Sequence, residues 1–379
     1  MKNYLPQQYK STEDLEINHN YLKSQFDDYE EIFNKIKKVV IKGDYTLGSE
    51  VDILESEFSK LCEVKHSIAV GSGTDAIFLS LKALDIGVND EVITTAFTFY
   101  ATVGAIATTG AKPVFCDIND DYNICIDEIE KKITNKTKVI VPVHWTGRPC
   151  DMDAIEAVSK KYDIAIISDA CHAIKAQYKN KSVGSIGSAS CYSFHPLKNI
   201  NVWGDGGMIT TNSDDIARKL KLIRNHGLVS RDQCEVFGYN SRLDTIQAVI
   251  ARHLLKKIDF ITNSRISNAK YYDTNFQNIK EIKTPIRNKN LYEVFHIYSV
   301  TCQRRDDLSA YLIQNGIDAK IHYPTPVYLQ PAANYLGYKK GDFPKTEEIC
   351  NSIISLPVHE FIKRQQQDKV IDLIKNFYS

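Results

Sequence analysis

Ser67–Leu84 reads SIAVGSGTDAIFLSLKAL. A short run of small and β-branched apolar residues meets a glycine-flanked turn, Gly71-Ser72-Gly73-Thr74. After the turn, apolar Ile77, Leu81 and Leu84 recur at helical spacing. A change of hydrophobic period from strand to helix within a few residues marks a strand feeding a helix. Glycine lets the main chain approach a bound phosphate, and the first turn of a helix offers free N–H groups with a favourable dipole. Ser72 and Thr74 add hydroxyl donors. The same stretch fits two other descriptions. Ser72-Gly-Thr-Asp75 matches the S-x-x-D helix cap, and Gly71–Ala76 reads G-x-G-x-x-A, a variant of the dinucleotide fingerprint.

The pattern continues outward from this unit. The strand-like runs SIAV, EVIT, KPVFCDI, TKVIVPV and DIAIIS alternate with helix-like DAIFLSLKAL, DEIEKKI and DMDAIEAVSKKY. Such alternation predicts an α/β fold, a mainly parallel sheet with helices on both faces. SASCYSF and GGMITTN follow with no helical pattern between them, so Lys198 falls in a loop joining two strands. A long helical pattern then runs from about Ser241 to about Asn275. Beyond Glu281 strand-like FHIYSVTC, helix-like DDLSAYLIQNG and proline-rich loops suggest a second, α+β unit. The expected organisation is an N-terminal arm over 1–25, a large domain over 26–255 and a small C-terminal domain over 256–379.

Composition narrows the function. Of 379 residues, 43% are apolar, enough for a sizeable core. Lys+Arg and Asp+Glu are 47 each, which gives no bulk attraction to nucleic acid or to an anionic membrane. No segment approaches the roughly 20 apolar residues of a membrane helix. Nine scattered cysteines with no C-x-x-C pair suggest reduced thiols in the cytoplasm and no metal site.

In open α/β sheets ligands bind beyond the carboxyl ends of the strands. The dinucleotide variant needs an acidic residue at the end of the next strand, about 20 residues on. EVITTAFTF instead has Glu91 at its start and ends in aromatic and hydroxyl residues, so a nicotinamide oxidoreductase is disfavoured. After DIAIIS comes Asp169, which aims a carboxylate into the crevice or simply caps a helix. Lys198 follows in SFHPLKNINVWGDGG, Ser193–Gly207. A phosphate cradle, a strand-end carboxylate and a loop lysine together meet the needs of pyridoxal phosphate. Its phosphate takes the helix N-terminus, its ring nitrogen the carboxylate, and its aldehyde the lysine as a Schiff base. Phe99 stands where an aromatic could stack on the ring; by itself it reads equally as a core aromatic.

From about Tyr45 onward, GSGTDAIFLSLKAL, DEVITTAFTFYAT, GAKPVFCDI, SDACHA, SFHPLKN, GDGGMITT, RNHG, GYNSRLDTIQA and IHYPTPVYLQ follow one another in order. In these motifs the chain resembles the DegT/StrS-type sugar aminotransferases. The resemblance implies the type I pyridoxal phosphate fold, with a large mixed, mostly parallel seven-stranded sheet domain and a smaller C-terminal α+β domain. It places Lys198 at the Schiff-base position and Asp169 beside the pyridine nitrogen. His172 falls at a cofactor contact. Ser72, Gly73, Thr74 and Ser193 fall at the phosphate, and Phe99 at the stacking aromatic. Asn240 matches an asparagine that reaches the neighbouring subunit's phosphate, which implies a homodimer with shared sites. Ser241-Arg-Leu-Asp244 is also a helix-capping pattern. One branch of the family carries histidine at the lysine position and removes a hydroxyl; Lys198 excludes that branch.

The activity implied is transfer of an amino group from L-glutamate to a ketone on a nucleotide-linked sugar, at C3, with C4 as the alternative position. His322 and Tyr323 match positions on the sugar side, and Asn225, His226 and Arg231 are further candidates. The alternatives are amination of a cyclitol or sugar phosphate, and a non-catalytic regulatory relative. His144-Trp-Thr-Gly-Arg148, Pro196 and Asn201-Val-Trp203 depart from the family pattern and are expected near the mouth of the site.

Overall fold

The computed structural model describes residues 15–19 and 21–379; of the expected N-terminal arm, residues 1–14 and 20 lie outside the described residues. Seven strands form one sheet. They are β1 (His66–Val70), β2 (Glu91–Thr95), β3 (Lys112–Cys116), β4 (Thr137–Val141), β5 (Ala165–Asp169), β6 (Ala189–Ser193) and β7 (Gly207–Thr211). Their order across the sheet is β1-β7-β6-β5-β4-β2-β3. Neighbours from β6 to β3 pair parallel, and β7 alone runs antiparallel to both its neighbours. The expected α/β class and the mixed, mostly parallel seven-stranded sheet are therefore present.

The strands read as nearly continuous apolar runs because both faces are covered. Ile68, Val70, Cys191 and Ile209 join one core, which includes Ile77 and Leu81 of α3 (Gly73–Ala83). The alternate residues Ala69, Tyr192 and Met208 join the opposite core, with Leu54 and Phe58 of α2 (Ser49–Cys62) and Ile32 and Val39 of α1 (Tyr29–Lys42). Successive side chains of one strand thus feed two cores, as the two-residue period requires.

The long helical pattern from Ser241 resolves into two helices, α7 (Thr245–Leu255) and α8 (Ile258–Phe276), with Lys256 and Lys257 between them. They follow α4 (Tyr100–Thr108), α5 (Met152–Tyr162) and α6 (Asp214–Ile223) in the chain. Val249 and Leu254 of α7 pack in the core against the sheet, whereas Ala269, Tyr272 and Phe276 of α8 pack in a separate core. The apolar spacing runs on across the break because Leu254 and Ile258 lie one turn apart. The separate core covers a small antiparallel sheet of β8 (Ile282–Lys283), β9 (Tyr298–Cys302) and β10 (Ile353–Leu356). Helices α9 (Arg305–Gln314) and α10 (Arg364–Tyr378) contribute Leu308, Leu312, Val370 and Ile374 to it.

One edge of the large sheet gathers the carboxyl ends of β1, β2, β4, β5 and β6 with the start of β7. Gly207 pairs with Val70 on one side and Ser193 on the other, and Asp169 pairs with Cys191. A buried ion pair steadies β1 just before its glycine turn. Glu55 accepts from the Ala69 N–H (2.8 Å), and Arg224 donates both to Glu55 and to the Ala69 carbonyl (2.8 Å). Removing one partner of a buried pair strands the other charge, at a cost of about 3–5 kcal/mol. Arg224→Met is accordingly expected to lower the unfolding free energy by about that amount, measured by urea denaturation, while an exposed control such as Lys221→Met leaves it nearly unchanged.

Candidate active site

The glycine turn after β1 is held from three sides. Ser72 caps α3 by accepting from the Asp75 N–H (3.0 Å). The first-turn N–H groups of Gly73 and Thr74 have no acceptor within the helix. Ser241 accepts from the Gly71 N–H (3.1 Å) and donates to Asp75 (2.8 Å), so its hydroxyl braces the turn rather than capping α7. A Cβ at Gly73 would lie 2.6 Å from the Cβ of Ser193 and 3.1 Å from the sulfur of Cys171. The turn therefore presses directly on the end of β6, and only glycine allows it.

Asp169 ends β5 as a buried carboxylate. Oδ2 accepts from the hydroxyl of Thr102 (2.7 Å), and Oδ1 accepts from the Cys171 N–H (3.1 Å). Thr102, buried on α4, is bonded in turn to Thr98 (2.8 Å). Sequence reasoning did not single out Thr102; its signal is a hydroxyl on the buried face of an otherwise apolar helix. Neutral donors on both oxygens fix the plane of the carboxylate without cancelling its charge.

Lys198 lies in the loop between β6 and β7, with its N–H donating to the His195 carbonyl (2.8 Å). Its own carbonyl accepts from the Tyr21 hydroxyl and from Asn201 Nδ2, each at 3.0 Å. Burial holds the Lys198 amine below the ordinary lysine range, while Cys171 and Asp169 pull the other way. Burial also keeps His172 and His296 neutral, both well below the usual imidazole range. Their rings lie 4.5 Å apart, and Nδ1 of His172 accepts from the Thr146 N–H (3.3 Å). His296 escaped sequence reasoning because FHIYSV reads only as a strand. Burial holds His322 at about 4, with Lys320 and Lys198 adding to the effect, and its Nδ1 is 3.0 Å from the Ser355 hydroxyl.

Tyr323 joins the same cluster. Burial raises its phenol far above the usual range, and Asp169 adds to the effect. Its ring centroid is 5.9 Å from that of Phe99, which is 43% exposed and so is not a core aromatic. The segment His144–Arg148 departs from expectation in its depth: His144 and Trp145 are buried, with Trp145 against Phe97 at 4.8 Å, and the Thr146 N–H reaches the His172 ring. Trp203 is partly exposed and packs on Phe26 and Phe33.

The other expected residues stand apart. Asn240 is exposed, its main chain bridged to Asn225, whose side chain accepts from Arg242 (3.0 Å). His226 is exposed, and Arg231 is exposed at the tip of the hairpin formed by Leu228–Ser230 and Gln233–Cys234. Among the described residues none of these side chains bonds to the Lys198 cluster.

The cluster offers a glycine-lined helix N-terminus, a fixed strand-end carboxylate and a desolvated lysine. That donor set fits pyridoxal phosphate at its phosphate, ring nitrogen and aldehyde.

Comparison with known proteins agrees. The model of the DegT/DnrJ/EryC1/StrS aminotransferase family matches residues 27–375. A pleiotropic regulatory protein of Geobacillus stearothermophilus is 42% identical over 351 residues, covering 92% of this chain and 94% of that protein. The dTDP-3-amino-3,6-dideoxy-alpha-D-galactopyranose transaminase of Aneurinibacillus thermoaerophilus is 37% identical over 349 residues, covering 92% and 95%. Among solved structures, S. venezuelae DesV in complex with a ketimine intermediate superposes with a TM-score of 0.94 at 34% identity, covering 96% of this chain and 98% of that one.

Two outcomes are expected. Gly73→Ala overpacks the turn against Ser193 at a cost of about 1–3 kcal/mol, so affinity for pyridoxal phosphate, titrated by absorbance, falls about tenfold or more. His322 and His359 are both held at about 4 by burial, below the 6.5 of an exposed imidazole. Their contribution to stability is complete above that ordinary value and is lost as pH falls toward the folded one. Urea midpoints should drop across that window, and His322→Gln should make the drop shallower.

Proposed function

The chain belongs to the DegT/DnrJ/EryC1/StrS aminotransferase family and works with pyridoxal phosphate, and on that premise we propose that it transfers the amino group of L-glutamate to the C3 ketone of a nucleotide-linked sugar. The observation that carries this reading is the half-buried Lys198 on the loop after β6, near Asp169 at the end of β5, its amine held below the ordinary lysine range by desolvation. In this assignment Ser72, Gly73, Thr74 and Ser193 hold the phosphate. Asp169 keeps the ring nitrogen protonated, Phe99 covers the ring face, and His172 contacts the ring edge as a neutral imidazole.

Bound there, pyridoxal phosphate supplies the sink for the electron pair left when the donor's Cα–H bond breaks. Lys198 anchors the cofactor and, once displaced by the donor, removes the Cα proton through Nζ. A lowered amine pKa raises the fraction of free base near neutral pH, which is the form a general base needs. In the second half of the cycle the same Nζ delivers a proton to the sugar carbon that has received nitrogen. His322 and Tyr323 face the sugar; Asn225, His226 and Arg231 are proposed for the nucleotide diphosphate.

The C3 assignment draws on the A. thermoaerophilus relative, whose name places the amino group there. A regulatory role has one observation in its favour, the 42% identity to a protein named as a pleiotropic regulator. Lys198, Asp169 and the glycine turn weigh against a role without catalysis. The same reading takes residues 26–255 and 256–379 as large and small domains. It also takes two copies as a cytoplasmic homodimer in which the exposed Asn240 serves the other copy's phosphate.

The test is product analysis by mass spectrometry after incubation with L-glutamate and either a 3-keto or a 4-keto nucleotide sugar. The expected result is an amino sugar from the 3-keto substrate, matched by 2-oxoglutarate. Lys198→Ala is expected to lower turnover by on the order of 10⁴-fold or more. Amination of the 4-keto substrate alone would move the position. Amination only of a keto-cyclitol or a sugar phosphate would remove the nucleotide from the proposal.

A further inference from the structure

Tyr21 lies 177 residues from Lys198 in the chain, yet its hydroxyl donates to the Lys198 carbonyl at 3.0 Å. Its ring is buried, stacked on His359 at 5.3 Å, with the Arg265 guanidinium 4.7 Å from its centroid. Arg265 pairs with Glu360 (2.9 Å), their side chains 1% and 0% exposed. Glu360 accepts from Gln25 (3.3 Å), and Gln25 accepts from Asn201 (2.6 Å). Asn201 closes the circuit by donating to the Lys198 carbonyl that Tyr21 also holds (3.0 Å). The contacts thus form a ring: Lys198, Asn201, Gln25, Glu360, Arg265, Tyr21 and back to Lys198.

The segment bearing Tyr21 is itself fastened. Ile17 exchanges main-chain bonds with Gly316 and Asp318, both at 2.9 Å, and the His19 N–H donates to Asp318 at 3.1 Å. The Asn18 carbonyl lies 3.1 Å from Nε2 of His359.

We propose that Tyr21 is a positioning residue for Lys198: with Asn201 it clamps the lysine's main chain to the buried Arg265–Glu360 pair and so sets the arc through which Nζ moves. A lysine side chain has four rotatable bonds, and its amine is placed only as well as its main chain is. Packing alone would be served by phenylalanine; the hydroxyl is needed for the clamp. An active-site group displaced by a fraction of an ångström loses rate without losing its ligand. The inference rests on the reading of Lys198 as the reactive amine.

Tyr21→Phe keeps the ring over Arg265 and removes only the donor. In the holoenzyme, amide hydrogen exchange across residues 196–203 is expected to accelerate by about tenfold. kcat is expected to fall on the order of tenfold, with KM for the amino donor and the cofactor content unchanged. Gln25→Met opens the ring at another point and is expected to loosen the same residues, which keeps the test available if Tyr21→Phe misfolds. Unchanged exchange, or faster exchange with kcat within about twofold of the parent, overturns the proposal. Failure of the underlying reading looks different: Lys198→Arg would then retain turnover while Tyr21→Phe still loosens the loop.

Discussion

A Cβ at position 207 would lie 2.3 Å from the carbonyl oxygen of Ser72, a separation that side chains do not tolerate. That close approach governs the rest of the site. β7 is squeezed between β1 and β6 at its first residue, where Gly207 faces Val70 and Ser193. Only with nothing on Gly207 can the turn after β1 close down on the end of β6, and only then do Gly73, Ser193 and the lysine loop share one wall. The packing of the glycine turn onto the start of β7 depends on that one steric allowance.

Around that wall the protein removes water rather than adding charge. Lys198, His172, His296 and His322 are all shifted toward their neutral forms, and in each case burial is the first cause. Asp169 is kept in place by a hydroxyl and a main-chain N–H, donors that orient it and leave its charge available. The chain is electrically balanced overall, with 47 residues of each sign, so what distinguishes the site is local desolvation. A dry site makes every remaining dipole count for more.

Much of this is legible in the amino-acid sequence. The switch from a two-residue to a helical period at Gly71 announced the strand–turn–helix unit, and the strand-end rule pointed to Asp169 and the Lys198 loop. What escaped the sequence depends on partners far away in the chain. Ser241 read as a helix cap, but its hydroxyl serves Gly71, 170 residues distant. Thr102 drew no assignment, because nothing local reveals that its hydroxyl meets Asp169, 67 residues on. The break between α7 and α8 escaped because it has no proline or glycine and the apolar spacing crosses it unbroken. Tyr21 sat in a stretch too weakly patterned to assign, and its significance exists only once residues 198, 265 and 360 converge on it.

The sheet order also constrains the protein while it is being made. β1 lies at an edge of the sheet, and among the described residues it pairs with β7 alone, which begins at Gly207. On the ribosome, the first of these seven strands must therefore wait for the seventh. Until residue 211 has cleared the exit tunnel, β1 presents an unpaired, apolar edge, and β2 to β5 can assemble beside each other without it. A nascent chain halted in that interval carries a template for mispairing rather than half an active site. The strand that seals the finished pocket is thus also the one whose late arrival leaves the growing polypeptide most exposed to aggregation.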